Sequence, residues 1–388
     1  MMKKKHSFVL EPGEYRFQAN DVDAGSFIIS ELITVEQCEP LLKKPEELRQ
    51  RITDRLPKEM TPSPRETCTF YDVMQGSAAL DDFVSRLSAD ELEALSRGHG
   101  MMNSSLGIPG NAGAFGGILE SLRSKGVPPI ITSDGPAGLR LKRYASLLPC
   151  GTALACTWNT ALIEEIGKKT GEEMGRYGVD VLLSPGMNIH RNPLCGRNFE
   201  YFSEDPLLSG KIAAAVIRGV QSTGRSACPK HFACNNQETR RNTNDSRVSE
   251  RALREIYLRN FEIAVKEGKP LTIMTSYNKV NGVWSHYNYD LVTTVLRKEW
   301  GFDGCVITDW WMKKAKSPEF PLLENNAYRV RAQVDVLMPG SLKYMEKEYR
   351  TDPSLLKTLG QQGGITKAEL QRTAANTLNL ALKLKKSI

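Results

Sequence analysis

The sequence predicts an α/β protein whose main domain is a (β/α)8-type barrel, regular or irregular. Strand-like and helix-like segments alternate from about residue 80, and a polar side chain follows almost every strand-like segment. Six such units extend over roughly 260 residues, which is close to the span of an eight-stranded barrel. Alternation of this kind produces a parallel sheet with helices outside. An open, doubly wound sheet satisfies the same pattern and is the alternative.

The first 35 residues are predicted to be β-rich. The turn signals Glu11-Pro12-Gly13-Glu14 and Asp23-Ala24-Gly25 separate short apolar runs, which indicates two or three strands. So few strands cannot bury a core alone, so the segment must pack on the main domain or derive from a larger one. Residues 36–79 are charged and rich in proline, and we interpret them as a linker with one helix near residues 44–55.

Six segments of the main domain, residues 80–388, are the predicted strands: 129–133, 179–184, 227–232, 271–276, 305–308 and 334–338. Two of the helices between and after them carry clear signals. Ser249 opens a helix with the spacing of one buried face at Leu253, Ile256, Tyr257, Phe261 and Ala264. A capping box of Thr366 and Glu369 opens the last helix, which is predicted to bury Leu370, Ala374, Leu378 and Leu382.

The composition excludes several functions. No run of about 18 apolar residues is present, so no membrane-spanning helix is expected. The net charge of +7 arises largely from basic runs at the chain ends, which predicts no nucleic-acid partner. The eight cysteines include no C-x-x-C pair, which favours a reduced, cytoplasmic chain. Phosphate loops and zinc motifs are missing from the sequence, so neither a cofactor nor a metal is predicted.

Polar side chains gather where the predicted strands end. In a parallel barrel these ends meet at one mouth, where catalysis takes place. Carboxylates with cationic neighbours suit polyols, because charge-assisted hydrogen bonds hold vicinal hydroxyls. A carboxylate that attacks an anomeric carbon is the nucleophile of retaining glycosidases. The residues concerned are Asp134, Asn188, His190, Arg191, Lys230, His231, Tyr277, Asn278 and Asp309.

Six motifs occur in a fixed order along the main domain. They are Leu87-Ser88-Ala89-Asp90-Glu91-Leu92, Ser133-Asp134-Gly135-Pro136-Ala137-Gly138-Leu139-Arg140, Gly196-Arg197-Asn198-Phe199-Glu200 with Ser203-Glu204-Asp205-Pro206, Lys230-His231-Phe232 with Asn235-Asn236-Gln237-Glu238, Ser276-Tyr277-Asn278-Lys279-Val280-Asn281-Gly282, and Trp300-Gly301-Phe302-Asp303-Gly304 leading to Thr308-Asp309-Trp310. In these motifs the chain resembles the β-glucosidase branch of glycoside hydrolase family 3. The resemblance implies release of β-linked glucose from the non-reducing ends of oligosaccharides or aryl glucosides, through a covalent glycosyl-aspartate.

The resemblance also implies residue roles. Asp309 is the expected nucleophile, Tyr277 the aromatic beside it and Met274 an apolar wall, and the residues that grip the sugar are Asp134, Arg197, Lys230 and His231. Structural roles compete with these. Asp134 can cap a turn, Arg197 can pair with Glu200 or Glu204, and His231 and Met274 can be core residues. Glu204-Asp205-Pro206 is interpreted as a helix start.

The chain departs from this family in one respect. Its β-glucosidases usually carry the acid/base glutamate on a separate sandwich domain, and no segment of that size flanks the barrel. Residues 8–35 resemble the closing strands of the family's fibronectin-like domain. We therefore expect the C-terminal half of a member whose sandwich precedes the barrel, with impaired catalysis and sugar as its ligand. A separate chain carrying the acid/base domain is a partner that this interpretation allows.

Alternatives remain open. The main one is a non-catalytic sugar-binding barrel that kept the gripping residues. Single-domain β-N-acetylglucosaminidases of the same family use an Asp–His pair on the loop after Lys-His-Phe, but Asp245 is followed here by Arg247 where that histidine is needed. Trp311 follows Asp309-Trp310 at a position where a small residue is common, and it is expected to narrow the leaving-group side.

Overall fold

The computed structural model describes residues 39–340 and 354–384, together with the backbone of four strands near the N-terminus. These strands are β1 (Val9–Leu10), β2 (Gly13–Ala19), β3 (Val22–Ile29) and β4 (Ile33–Thr34). They form two antiparallel pairs, β1 with β4 and β2 with β3. The strands predicted in this region are thereby confirmed, whereas their origin in a fibronectin-like domain stays a prediction.

The main domain contains the remaining strands. They are β5 (Gly113–Gly116), β6 (Pro129–Asp134), β7 (Val181–Leu183), β8 (Ser226–Ala227), β9 (Asp245–Ser246), β10 (Thr272–Met274), β11 (Lys279–Val280), β12 (Val283–Trp284) and β13 (Cys305–Ile307). Strands β6, β7 and β8 pair in parallel, as do β10 and β13, and β5 is antiparallel to β6. Short strands β9, β11 and β12 form a separate sheet.

Isolated bridges close the main sheet into a barrel. Gly186 pairs with Lys230 and Phe232 with Thr275, which joins the extension of β8 to β10. On the other side Ile307 pairs with Val336, Leu337 with Arg97, and His99 with Ala114 of β5. Within the described residues the ring is complete, which confirms the α/β barrel over the open sheet.

The sequence does not reveal the first two segments of this ring, around Arg97–His99 and at β5. The second is Gly-Ala-Phe-Gly, which has the composition of a loop. Gly113 has φ of +122°, and a Cβ there would lie 2.9 Å from the Gly100 carbonyl oxygen. The close approach of two backbones therefore requires glycine at a position where strands usually carry branched residues.

The helices surround the barrel and lie before and after it. The α-helices are α1 (Pro45–Thr53), α2 (Phe70–Met74), α3 (Leu80–Ser85), α4 (Ala89–Ala94), α5 (Glu120–Ser124), α6 (Gly151–Ala155), α7 (Thr160–Tyr177), α8 (Pro206–Gln221), α9 (Glu250–Ala252), α10 (Arg259–Ile263), α11 (Asn325–Arg331), α12 (Ser354–Thr358) and α13 (Lys367–Lys383). Wider π-helical turns cover Leu253–Tyr257, Ala264–Gly268 and Asp290–Glu299, and 3₁₀ turns cover Asn198–Glu200 and Ser285–Tyr287. No helix in the described ranges combines the length and apolar character needed to cross a bilayer.

Both helix starts predicted from the sequence are confirmed. Ser249 accepts a hydrogen bond from the Ala252 amide at 3.2 Å, and Thr366 and Glu369 form the reciprocal capping box of α13. The predicted buried face after Ser249 is wrong at Ile256, which is 39% exposed. A π-helical turn inserts an extra residue per turn there and rotates the following side chains, so Leu258 is buried instead.

The described part of the segment interpreted as a linker packs against the barrel. Ile52 of α1 and Phe70 of α2 are buried in the same apolar cluster as barrel residues. The Arg51 guanidinium lies 2.8 Å from the Asp290 carboxylate, which holds α1 against a barrel helix. Residues 39–77 therefore adopt fixed positions beside the barrel.

Candidate active site

The mouth of the barrel brings the predicted residues together at the carboxyl ends of its strands. Asp134 is the last residue of β6, and Asp309 lies two residues after β13. Lys230 and His231 follow β8, and Tyr277 follows β10. Since β6, β7 and β8 are parallel, as are β10 and β13, loops that follow them open on the same face.

Asp309 is a buried carboxylate with one unsatisfied oxygen. Its Oδ1 accepts a hydrogen bond from the Trp310 amide at 2.7 Å. Its Oδ2 has no hydrogen-bond partner among the described residues and lies 3.5 Å from His231 Nε2. Burial raises the pKa of Asp309, although the nearby cations of Arg197 and Lys230 oppose that increase. A buried oxygen outside the range of a hydrogen-bond donor is uncommon, and the Tyr277 hydroxyl near Asp309 also lowers the pKa of this carboxyl group.

His231 is held in one orientation beside this carboxylate. The Asn188 side chain accepts from the His231 amide at 2.8 Å and donates to its carbonyl at 2.9 Å. The Tyr201 hydroxyl lies 3.2 Å from His231 Nδ1, and Asn235 donates to the same hydroxyl at 3.1 Å. The Tyr201 hydroxyl donates to Nδ1 when the imidazole proton is on Nε2, and it accepts from Nδ1 in the other tautomer.

The imidazole of His231 is neutral. Burial lowers its pKa well below the ordinary value, and the cations of Arg197, Lys230 and Arg241 lower it further. A role as a mere core residue does not account for this placement, because Nε2 points toward Asp309. A neutral imidazole with a proton on Nε2 can donate a hydrogen bond to a hydroxyl without adding a charge.

Lys230 and Asp134 form an ion pair at the same mouth. Lys230 Nζ donates to Asp134 Oδ1 at 3.1 Å, and the Arg140 guanidinium lies 3.4 Å from Oδ2. Burial would raise the pKa of Asp134, but Lys230, Arg140 and Arg197 together outweigh burial and the pKa is lowered. Asp134 is therefore an ionised acceptor, suited to two neighbouring hydroxyls. Arg140 ends the motif that begins at Ser133, but it is not among the predicted site residues.

The ion pair with Glu200 that was considered for Arg197 is present, whereas its role in gripping the sugar stays a prediction. Its guanidinium lies 2.6 Å from a Glu200 oxygen and 3.9 Å from Glu238. Burial would lower its pKa, but Tyr201, Glu200 and Asp309 raise it, so the guanidinium keeps its charge. The same charge lowers the pKa of Asp309, which ties Arg197 to the site electrostatically.

Arg241 packs over the Tyr277 ring from a loop that was not predicted to belong to the site. The Arg241 guanidinium lies 4.3 Å from the centre of the Tyr277 ring and 2.8 Å from a Glu238 oxygen. Burial and the Asp309 charge raise the pKa of Tyr277, which keeps its hydroxyl protonated. Arg241 and Glu238 follow the Lys230-His231-Phe232 motif closely in the sequence. This proximity is the signal from which their place near the site could have been predicted.

The other predicted residues have structural positions. Met274 is 1% exposed and belongs to an apolar core cluster, so a role as a wall of the site stays a prediction. Asp205 caps α8 by accepting from the Leu207 amide at 2.8 Å, which confirms the predicted helix start. Asp245 pairs with Arg247 at 2.6 Å. In the described ranges no group of three or more histidine, cysteine or acidic side chains could hold a metal.

We expect Lys230→Ala to weaken glucose binding about tenfold or more, because a charge-assisted hydrogen bond in a buried site contributes about 1.5–3 kcal/mol. His231→Ala should weaken it about two- to tenfold, because a hydrogen bond from a neutral imidazole contributes about 0.5–1.5 kcal/mol. Lys125→Ala is the matched control, since it removes a lysine that pairs with Glu91 at 2.7 Å outside the mouth. Calorimetric titration with glucose measures the affinities, and thermal unfolding checks the fold. Parental affinity in both site variants would place the sugar elsewhere.

Comparison with known proteins agrees with this geometry. Residues 118–380 match the family described as Glycosyl hydrolase family 3 N terminal domain. A β-glucosidase of Ruminococcus albus is 42% identical, and the match covers 97% of this chain and 42% of that protein.

Solved structures give the same result. The crystal structure of a β-glucosidase from Paenibacillus barengoltzii has a TM-score of 0.85 at 39% identity, covering 97% of this chain and 45% of that one. A glucose complex of β-glucosidase 3B from Thermotoga neapolitana has a TM-score of 0.70 at 42% identity, covering 78% and 42%. The chain thus spans less than half the length of these relatives. Its motifs, its barrel and the family match together establish that the chain belongs to glycosyl hydrolase family 3.

Proposed function

We propose that this chain is the barrel domain of a retaining β-glucosidase with Asp309 as its nucleophile. The observation that carries the proposal is the buried Oδ2 of Asp309, which lacks a hydrogen-bond partner among the described residues and lies beside the neutral His231. The proposed domain organisation has three parts: an N-terminal remnant in residues 1–35, a linker in residues 36–79 and the barrel in residues 80–388. A cytoplasmic location stays a prediction.

The proposed chemistry begins with recognition of the terminal glucose. Ionised Asp134 accepts from sugar hydroxyls, whereas Lys230, Arg197 and the Nε2 proton of His231 donate to them. Asp309 Oδ2 then forms a bond to the anomeric carbon while the bond to the leaving oxygen breaks and that oxygen takes the electron pair. Water later attacks the same carbon, gives one proton to solvent and releases the Asp309 carboxylate, and solvent protonates the oxygen that left. Two displacements retain the β configuration.

Catalysis by this chain alone is proposed to be impaired, because a retaining enzyme needs a second carboxyl group that protonates the leaving oxygen. Three described carboxyl groups interact with Lys230 or Arg197, the two cations that also lower the pKa of Asp309. They are Asp134, Glu200 and Glu238. Asp134 pairs with Lys230, and the two glutamates pair with arginines. Burial opposes the ionisation of Asp134, but the cations of Lys230, Arg140 and Arg197 lower its pKa, which makes Asp134 a poor acid. A domain on a separate chain that supplies the acid is the proposed partner.

The test is intact mass spectrometry after incubation with dinitrophenyl 2-deoxy-2-fluoro-β-glucoside. This reagent needs no acid to leave, and its fluorine slows release, so the enzyme should gain the mass of one fluoroglucosyl group. The alternative, a sugar-binding barrel without catalysis, predicts glucose binding and an unchanged mass. Absence of both labelling and glucose binding would contradict both functions.

The pH dependence tests the electrostatics of the nucleophile. Only ionised Asp309 attacks, so the acidic limb of kcat/KM for dinitrophenyl β-glucoside reports its pKa in the free protein. Arg197 lowers that pKa, so Arg197→Met should move the limb to higher pH. Arg259→Met is the control, since Arg259 also pairs with a glutamate three residues later, at 3.1 Å. A limb that stays in place in Arg197→Met would show that Asp309 is not the titrating group.

A further inference from the structure

The loop that carries Asp309 has no regular secondary structure of its own. Residues 309–315, which follow β13, form neither helix nor strand. The backbone pairing of a helix or a sheet therefore does not fix these residues, and contacts with other parts of the barrel must do so. Trp310 supplies one such contact, since its indole Nε1–H donates to the Ala112 carbonyl at 3.0 Å.

A second set of contacts converges on a single carbonyl oxygen, that of Lys313. The Tyr287 hydroxyl donates to it at 2.9 Å, an Arg329 nitrogen donates at 3.0 Å, and His286 Nε2 lies 3.1 Å away. Because a carbonyl oxygen can only accept, the proton of His286 is on Nε2. All three donating side chains are buried, and three donors exceed the two lone pairs of the oxygen. The position of Lys313 is therefore strongly constrained.

Tyr287 holds this loop at two points with one hydroxyl group. Besides donating to Lys313, the hydroxyl accepts from the Ala315 amide at 3.2 Å. The ring is 1% exposed and stacks on the Tyr328 ring, with centroids 4.5 Å apart and planes 10° from parallel. The Arg329 guanidinium lies 4.7 Å from the centre of the Tyr287 ring. A ring packed in this way gives the hydroxyl a fixed position, and the loop is fixed with it.

The turn that contains Tyr287 is also attached to the loop of Tyr277. This 3₁₀ turn begins at Ser285. The Ser276 hydroxyl donates to the Ser285 hydroxyl at 2.7 Å, and the Ser285 hydroxyl donates to the Asn278 carbonyl at 3.1 Å. Ser276 and Asn278 are the two neighbours of Tyr277 in the chain. The turn therefore connects the loop of Tyr277 with the loop of Asp309.

We propose that Tyr287 is a positioning residue for the reaction at Asp309, because its hydroxyl holds the loop of the nucleophile in register with the loop of Tyr277. Nucleophilic attack requires close and aligned reacting atoms, so a small displacement of this loop lowers the rate. The inference rests on the proposed function, since the position of Asp309 matters in this way only if Asp309 attacks the sugar. It deepens that function by naming a residue that acts through the loop and not through contact with the substrate.

The experiment compares Tyr287→Phe with the parent chain during labelling by dinitrophenyl 2-deoxy-2-fluoro-β-glucoside. Phenylalanine keeps the stacked ring and removes only the hydroxyl. The rate constant of labelling at saturating reagent should fall about two- to tenfold, the range that the loss of one neutral hydrogen bond allows. The reagent concentration that gives half of this rate should not change, and neither should the calorimetric affinity for glucose. Asp134 and Lys230, which are proposed to bind the sugar, lie on other loops.

Thr293→Val is the matched control for a loss of stability. The Thr293 hydroxyl donates to the Ala332 carbonyl at 3.0 Å, and both residues are buried outside residues 309–315. This variant also loses one buried hydrogen bond, so its melting temperature should fall, whereas its labelling rate should equal that of the parent. All rates are measured well below the lowest melting temperature.

Two results would overturn the inference while the proposed function stands. One is a parental labelling rate in Tyr287→Phe, and the other is an equal loss of rate in Thr293→Val, which would assign the effect to general destabilisation. A parent chain that is not labelled at all would instead reject the proposed function and the inference with it.

Discussion

Asp309→Asn is expected to abolish labelling by the fluoroglucoside and to lower turnover of dinitrophenyl β-glucoside by about 10⁴-fold or more, the order of loss seen when an enzyme's nucleophile is removed. The amide keeps the shape of the side chain and an oxygen that can accept from Trp310. It has no charged oxygen that can bond to the anomeric carbon. The chemistry should therefore be lost while the architecture is kept.

The same variant should be at least as stable as the parent at neutral pH. The folded protein raises the pKa of Asp309, so the native state binds this proton more tightly than the unfolded chain does. Ionisation above the folded pKa consequently costs stability, and the cost is absent once the carboxyl is replaced by an amide. Thermal unfolding from acidic to neutral pH should show the advantage of Asp309→Asn growing as pH rises.

Asp335→Asn is the control for this pair of results. Burial raises the pKa of Asp335 as well, but Asp335 is satisfied by Arg297 at 2.6 Å and by the Val306 amide at 2.7 Å. The amide would put an N–H against the Arg297 guanidinium or the Val306 amide, so the hydrogen bonds of Asp335 should be lost and stability should fall. Folded Asp335→Asn protein should still be labelled. Labelling that persists in Asp309→Asn, or that maps to Glu238 in a peptide digest, would show that another carboxylate is the nucleophile.

A comparison of Asp309 with Asp335 shows which property of a buried carboxylate cannot be predicted from the sequence. Both follow or lie within apolar segments, and both are buried with raised pKa values. Only the tertiary contacts distinguish a satisfied carboxylate from one with a free oxygen. The motif around Asp309 made it a candidate, and the fold supplies a physical reason for that choice.

Five of the six predicted apolar strands are present, because the signal for a buried strand is local, whereas 334–338 contributes only isolated bridges at Val336 and Leu337. Closure of the barrel was not predictable, since Arg97 pairs with Leu337 at the far end of the domain. The same distinction applies to the site. Asp134, Lys230 and Asp309 end or follow strands, and so their positions follow from the topology. Tyr201 and Arg241 enter through contacts with His231 and Tyr277 that no spacing in the sequence encodes.

Slow but measurable turnover of dinitrophenyl β-glucoside, with almost none of cellobiose, is the second large expected effect. Dinitrophenolate leaves without a proton, whereas the alkoxide of a second glucose does not, and general acid catalysis contributes about 10²–10⁴-fold. The described carboxyl groups near Asp309 are ion-paired, as Glu238 is with Arg241 at 2.8 Å. The chain alone is therefore expected to discriminate between these substrates by about the contribution of general acid catalysis.

The pH profile of kcat/KM tests independently whether a general acid takes part. A bell-shaped kcat/KM profile needs an essential acid that is lost as pH rises, so its basic limb should be absent here. The acidic limb remains, because Asp309 must still ionise. Both substrates are assayed on the purified protein across about pH 5–9, where a carboxyl group with a raised pKa would titrate. Cellobiose hydrolysis at a rate comparable to the activated glucoside would contradict the prediction and show that an acid is present. In that case Glu238→Gln identifies where the general acid comes from. Loss of cellobiose hydrolysis alone would assign the acid to the loop of this barrel, and retention would assign it to a neighbouring subunit.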